Sequence, residues 1–500
     1  MFRLYVAAAA LAALPLLLSA SILTDAKKES DRTWVLHGGL SETAYEFLTA
    51  VRSDTSILCG KKRYGLHRID ELVQNRYLLD DGERQLAKAL DDAYALYLSD
   101  RRNGCLNPYE IYPDQISIQK FESEGGENIL LERLENALRK YERIEAEGGW
   151  KKIPPFSGLL KKGDFAKPVT AIRARLYLSG DLNSSNLSDP FFDSGLEAAV
   201  KHFQDRHALK TDGIVGQNTL RAMNIPVERK ILLIKLNIER LRWLTGSSKE
   251  FIAANIPAYT LTLYREDSPV LEMKTVVGRR DRPTPMLSDL MSYAVLNPYW
   301  RAPKTIVKED ILPKLKAGMF DYLERAGIVI SRNFDGNETV DMRSVAWSRY
   351  NGEDMPFVFM QKPGPLNYLG FVKFMFPNSF DIYIHDTPHS GLFQYKERQM
   401  SSGCIRVEKP IELFHALFSH DQEGRWSYKQ IVRQILKREE KLVGLSRPVP
   451  VYILYMTVFA DDSGEVHFLP DIYGYDEKMV SYLKEPVPDT ESFAVRKDFK

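Results

Sequence analysis

The sequence predicts a multidomain α+β protein, and three observations lead there. The chain is 500 residues long, more than one compact core accommodates, so two to four domains are expected. Its first half repeats apolar residues at three- and four-residue steps, the period of a helix face. Past about residue 258 the period falls to two, as in half-buried strands. The expected order is a helical scaffold over 25–160, a compact helical unit over 164–225, a connecting helix over 226–258, and a mainly-β domain over 259–500 with a helical cap inserted at 304–361.

Ahead of the scaffold, residues 1–24 read as an export segment. "MFRLYVAAAALAALPLLLSASIL" places one cation, Arg3, before an apolar run to Leu23, and charged residues follow. The run is long enough to span a bilayer. Pro15 and the small residues Ser19, Ala20 and Ser21 favour a cleaved signal peptide, and a retained inner-membrane anchor is the alternative. The rest of the chain is expected outside the cytoplasm. Hydrophobic content of 44% and charged content of 27% are ordinary for a globular protein. A net charge of +1 gives no reason to propose a nucleic-acid partner, and the basic stretch Lys61–Arg68 reads as a solvated face.

The scaffold is read from "LDDGERQLAKALDDAYALYLSD", which lines up Leu86, Leu90, Ala93, Tyr94 and Tyr97, and from the stripe Leu130, Leu134, Leu138, Tyr141. A Pro-, Gly- and Lys-rich linker spans Trp150–Gly163. The compact unit then shows Ser194 and Glu197 at capping-box spacing, and Leu196, Ala199, Val200 and Phe203 form one helical face. Before that helix, Phe191 and Phe192 suggest an irregular or extended first half. His202 and His207, five apart, fall on different helix faces and read as surface or packing residues, not metal ligands. Ile231–Leu244 is a further amphipathic helix. "YTLTLYRED" and "PVLEMKTVVG" read as a hairpin, and "SYAVLN", "FDIYIHD" and "PVPVYILYMTVFAD" as further strands. Between Lys304 and Gln361 the strand rhythm stops. An insertion of this size forms either a lid or a structural elaboration.

The chain has three cysteines. Cys59 and Cys105 sit in loop-like contexts and form either a disulfide or two separate buried thiols; Cys404 is then left free. A free thiol in an exported chain calls for an explanation, and catalysis supplies one if a base and oxyanion donors are near. His385 ends the strand-like "DIYIH", with Tyr383 on the same face. Its imidazole takes the thiol proton if the other ring nitrogen is held, by a backbone carbonyl such as that of Asp386 or, less favourably, by the Asp386 carboxylate. Backbone N–H groups near Gly403 and Cys404 would hold an oxyanion. Arg406 either holds a substrate carboxylate or braces the loop. Taken singly, a cysteine beside a glycine is a small buried residue and a histidine at a strand end is satisfied by packing; the joint pattern is what points to catalysis.

Two family resemblances follow from these motifs. Phe203-Gln204, Leu209, Asp212-Gly213, Gly216 and Thr219 resemble the small three-helix peptidoglycan-binding module. "HDTPHSGLFQYKERQMSSGCIRV" resembles the signature of the L,D-transpeptidases with a YkuD-type catalytic domain: a His, a gap, then Ser/Thr-x-Gly-Cys-x-Arg/Asn. Many members carry a His before the Gly-Cys pair, where this chain has Ser402; His389 is then a control for His385. "VVGRRDRPTPMLS", "LNPYWRAPKTIVKEDILPKL" and "GPLNYLGFVKFMFPNSFDIYIHDTP" resemble the large periplasmic branch of that family.

The resemblance implies a two-step acyl transfer on peptidoglycan stem peptides in a Gram-negative cell wall. Cys404 would attack the third stem residue, release D-alanine, and pass the acyl group from a thioester to an amine, forming a 3–3 cross-link. It implies no metal or organic cofactor, susceptibility to carbapenems, and a monomer in the periplasm. Ser402, Gly403, Asp386 and Tyr383 are candidates for oxyanion or orienting roles. Trp300 and Tyr299 either line the cleft or pack. Two rivals remain: a hydrolase of the same fold cutting wall or lipoprotein linkages, and an inactive wall-binding protein. No H-E-x-x-H or G-x-S-x-G occurs.

Overall fold

A computed structural model describes residues 33–484 except 37–38, 80, 122–127, 184–185, 247 and 422–424. The export segment lies outside the described residues. No helix among the described residues is long and apolar enough to cross a membrane. The chain divides into two compact units, and it passes between them more than once: the described residues within 33–113, 128–245 and 456–484 form one, and those within 114–121 and 246–455 the other.

The first unit is helical. Glu42–Ser53, Leu66–Asn75 and Gly82–Asn103 pack Phe47, Leu48, Leu86, Leu90, Tyr94 and Tyr97 into one core. Cys59 is bonded to Cys105. The long helix Val227–Leu244 buries charged side chains as well as apolar ones. Arg242 donates to Glu135 at 3.0 Å and Arg240 to Asp476 at 2.6 Å, so the buried guanidinium groups are paired. This helix belongs to the unit's own core.

Within residues 164–225 stand three helices, Pro168–Ser179, Ser194–Arg206 and Gln217–Met223. The first replaces the irregular stretch expected there. The cap of the second is Asp193, whose carboxylate accepts from the Leu196 N–H at 2.7 Å; Ser194 is already helical and N3 is Leu196, so a single aspartate cap stands where the capping box of Ser194 and Glu197 was expected. The motif glutamine, Gln204, is buried and pins the turn: its Oε1 accepts from Gly213 N at 2.8 Å, and its Nε2 donates to Ile214 O at 2.9 Å and Thr219 Oγ1 at 3.1 Å. Gly213 has φ +74°, a conformation that favours glycine. His207 is buried and stacks on Phe203 at 3.9 Å. His202 lies 2.9 Å from Asp181 and 2.7 Å from Glu465, while Arg206 takes both oxygens of Asp181 at 2.5 Å.

The expected β domain over 259–500 is corrected at both ends. The strand Glu250–Asn255 belongs to it. Residues past Tyr455 leave it, because the hairpin Val458–Ala460 and Val466–Phe468 packs in the first unit: Phe468 meets Tyr141 at 5.5 Å and His207 at 5.4 Å.

The second unit is built on a ten-stranded sheet. In spatial order its main path runs Val372–Met375, Ile384–His385, Ile405–Val407, Ser268–Gly278, Thr260–Arg265, Glu250–Asn255, Lys441–Leu454, Met286–Leu296. Val372–Met375 also pairs with Met286–Leu296, which closes the path into a ring. Ile116–Ile118, expected in the helical scaffold, adds to Met286–Leu296 as a parallel strand. The insertion is not wholly helical. Short helical turns between Lys304 and Arg325 pack with a three-stranded antiparallel sheet of Trp300–Arg301, Val329–Ser331 and Val358–Gln361 around Leu312, Leu323, Trp347 and Phe359.

Candidate active site

Two short strands place the site. Ile384–His385 and Ile405–Val407 pair in parallel, with His385 opposite Arg406. Ile405 N donates to Tyr383 O at 3.1 Å, which fixes the end of the loop carrying Cys404. Cys404 is a free, half-buried thiol. Its Sγ lies 3.9 Å from the carbonyl oxygen of Asp381.

His385 is buried, at 4% exposure. Its Nδ1 lies 2.5 Å from the backbone carbonyl of Asp386. A carbonyl only accepts, so Nδ1 carries the proton and Nε2 is left as the basic nitrogen. The Asp386 carboxylate is occupied elsewhere, accepting from Phe371 N at 2.8 Å and Thr387 N at 2.6 Å. Burial holds the imidazole down to about 3, with Arg406 and then Lys373 adding to the effect and the Asp386 carbonyl opposing it. Burial likewise pushes the Cys404 thiol up, against hydrogen bonds from the Tyr383 amide and hydroxyl and the charge of Arg406. Tyr383 is itself pushed well up, first by burial and then by Cys404, and stays a hydroxyl donor. Its ring lies 5.6 Å from that of His385. His389, by contrast, is exposed and has its ring 6.3 Å from Tyr368.

The cysteine loop is braced from several sides. Ser401 Oγ donates to Cys404 O at 2.6 Å and accepts from Gly403 N at 3.2 Å. The Gly403 N–H, expected as an oxyanion donor, is therefore committed within the loop. The Cys404 N–H has no hydrogen bond among the described residues. Gly403 has φ +116°, and a Cβ there would lie 3.1 Å from Ile382 Cδ1. Thr284 Oγ1 donates to Gly403 O at 2.6 Å and accepts from Gly278 N at 2.8 Å. Arg282 donates to Ser402 Oγ at 3.2 Å and to Asp310 at 2.7 Å, and pairs with Glu309. Asp310 and Glu309 lie on the π-helical turn Val307–Ile311 of the insertion, so Arg282 joins the cysteine loop to the insertion.

Trp300 does not join this group. It is 4% exposed, in the insertion's core, edge-on to Tyr368 at 4.9 Å. Tyr299 N donates to Glu440 at 3.0 Å, and no contact ties its side chain to Cys404 or His385. Sequence reasoning missed Ser401 as a brace, Thr284, Arg282 and Lys373. The last is opposite His385 on the neighbouring strand. The only signal for Thr284 and Arg282 was the stretch "VVGRRDRPTPMLS".

Residues 249–420 match the YkuD family, described as the L,D-transpeptidase catalytic domain. That segment of the chain is thus similar to L,D-transpeptidase catalytic domains. Residues 166–223 match a second family, described as "Putative peptidoglycan binding domain". A curated protein of Haemophilus influenzae, named "Putative L,D-transpeptidase", is 35% identical over 246 residues, 49% of this chain. The chain spans about half of that relative's length, 48%. Among solved structures, an L,D-transpeptidase from Mycobacterium smegmatis is 12% identical at a TM-score of 0.20, covering 42% of this chain and 60% of its own. One from Stackebrandtia nassauensis is 11% identical at 0.21, covering 61% and 96%. The transpeptidase domain match includes His385, Cys404 and Arg406, and it contains the whole insertion.

Proposed function

We propose that this protein is a cysteine L,D-transpeptidase that joins peptidoglycan stem peptides by a 3–3 cross-link through a thioester. The observation that carries the reading is the His385 Nδ1–Asp386 carbonyl bond of 2.5 Å, which leaves Nε2 basic on the strand paired with the one that follows Cys404. In the first step Nε2 takes the Sγ proton, sulfur bonds to the carbonyl carbon of the third stem residue, and the amide C–N bond breaks. The leaving D-alanine nitrogen takes the proton back from His385. In the second step the side-chain amine of another stem attacks the thioester, His385 accepts the amine's proton, and the thiol is re-formed. The Cys404 N–H and the Tyr383 hydroxyl are the donors for the tetrahedral oxyanion. The insertion serves as a cap held to the cysteine loop through Arg282. The protein works in the periplasm as a monomer, after cleavage of the export segment or anchored by it, and the 164–225 module holds it to the wall.

The test is intact-protein mass spectrometry with a carbapenem. The wild type should gain one adduct, Cys404→Ala none, and His385→Ala should gain it slowly, with His389→Ala as the control. No adduct on folded, reduced wild type would refute Cys404 as an acyl acceptor. Incubating the protein with a donor stem, with and without an acceptor amine, then separates transfer from hydrolysis.

A further inference from the structure

Lys373, His385 and Arg406 form one row across three adjacent strands. Lys373 is the register partner of His385 in the antiparallel pair, and Arg406 is its partner in the parallel pair. Residues in register on neighbouring strands present their side chains to the same face, about 5 Å apart per strand. The base is thus flanked by a cation on each side. Neither cation has an ion-pair partner within 4 Å among the described residues. Arg406 Nε is sealed from solvent with no acceptor. Lys373 Nζ lies 5.8 Å from the centre of the Tyr383 ring. No hydrogen bond or ion pair of either side chain occurs among the described residues, although both are half-buried. Glu440 and Arg301 bear on Lys373 with opposite signs; Tyr368 and Cys404 are the neighbours that bear on Arg406.

Partly desolvating two like charges without an anion between them is unfavourable, and such pairs are found where a ligand supplies the anion. We propose that Lys373 and Arg406 form a carboxylate-binding pair, and that the donor peptide is recognised through a free carboxylate close to its scissile amide. This rests on the acyl-transfer reading of Cys404. A stem peptide offers that carboxylate from two sources: the C-terminus of the leaving residue, and the side chain of the residue whose carbonyl is attacked. Filling the pair has a second effect. Both cations oppose a proton on His385, so a bound carboxylate lifts that opposition at the moment the base must accept one. Lys373 is on this account a specificity-determining residue, and it links donor binding to the readiness of the base.

The test uses the full-length protein and two alkylating probes of one size, iodoacetate and iodoacetamide. The ratio of their rates at Cys404, read by mass spectrometry, reports the attraction of a carboxylate to the site. In Lys373→Met the iodoacetate-to-iodoacetamide ratio should fall about tenfold, the factor equivalent to one charge-assisted hydrogen bond of the weaker kind. Lys373→Arg should restore most of it. The iodoacetamide rate of the same variant controls for a disturbed fold. Donor peptides amidated at one carboxylate or the other then identify the source: the amide that matters lowers kcat/KM in the wild type and lowers it less in Lys373→Met, where Arg406 alone remains. An unchanged ratio in Lys373→Met, with Cys404 still reacting with iodoacetamide, overturns the carboxylate pair and leaves the transpeptidase reading standing. A Cys404 inert to both probes overturns both.

Discussion

Gly370→Ala should disable the site from a position that touches neither Cys404 nor His385. Gly370 has φ +59°, and a Cβ built there falls 2.3 Å from Asp386 Cγ and Oδ2. The carboxylate must therefore swing away from Phe371 N and Thr387 N, which it now accepts from at 2.8 and 2.6 Å. Each such bond to a charged group contributes about 1.5–3 kcal/mol, and alanine in the left-handed region costs about 1–2 kcal/mol more. Losing one bond gives a destabilisation of about 3 kcal/mol, and losing both about 6. The same movement displaces the Asp386 carbonyl that holds His385. Pulsed alkylation of Cys404 across a urea series reads the unfolding of this unit apart from the rest of the chain. Gly391→Ala, where a Cβ meets nothing within 4 Å, is the control. In an Asp386→Gly background the clash is gone, because the Asp386 Cβ, 2.5 Å from the built Cβ, leaves with the carboxylate, and Gly370→Ala should then cost only the left-handed penalty. Equal costs in the two backgrounds would refute the reasoning.

Four further outcomes are expected. Below pH 6.5 the unfolded chain protonates His385 while the folded chain, held down to about 3, does not; stability is therefore lost as pH falls from 6.5 towards 3, by about 2 kcal/mol at pH 5. Urea midpoints at pH 7 and 5 should show that loss, and His385→Asn should abolish it. Burial raises the Cys404 thiol, so its iodoacetamide rate should keep climbing above pH 9; a plateau near pH 7 would mean a preformed thiolate–imidazolium pair. Removing the Cys59–Cys105 bond, which spans 46 positions, should destabilise the first unit by about 4 kcal/mol in thermal unfolding and leave Cys404 alkylation unchanged. Arg282→Ala should slow carbapenem acylation about tenfold, one bond's worth, and Arg282→Lys should not restore it, since a lysine cannot span Ser402, Asp310 and Glu309 together.

How far the sequence could be read follows from which interactions are local. His385 and its carbonyl orienter are adjacent in the chain, and Cys404 sits in a turn whose glycine is next to it, so both were legible. The braces were not: Thr284 lies 119 positions from Gly403 and Arg282 120 from Ser402, and nothing along the chain announces such pairs. The helix Pro168–Ser179 escaped because Arg173, Arg175 and Ser179 are buried beside Val169, Ile172 and Leu176, which erases a one-sided apolar stripe. The strands of the insertion escaped because they are two to four residues long, too short for an alternation to register. The C-terminal hairpin alternates like the sheet strand before it, and only its partners, Tyr141 and His207, assign it to the other unit.

The resting site carries little charge on its reacting atoms, and this bears on how it works. Burial favours the neutral thiol and the neutral imidazole together. Lys373 and Arg406 reinforce the neutral imidazole while Arg406 favours the thiolate, so the two halves of a proton transfer are pulled in opposite directions by the same cation. A thiol in this state is a poor nucleophile towards whatever reaches it by chance. On the proposal made above, an anion on the cationic row changes the balance, and a donor with a carboxylate beside its scissile bond brings both that anion and a reactive carbonyl. Selectivity and reactivity then have one physical origin: a donor without that carboxylate meets a base that two unpaired cations still hold neutral.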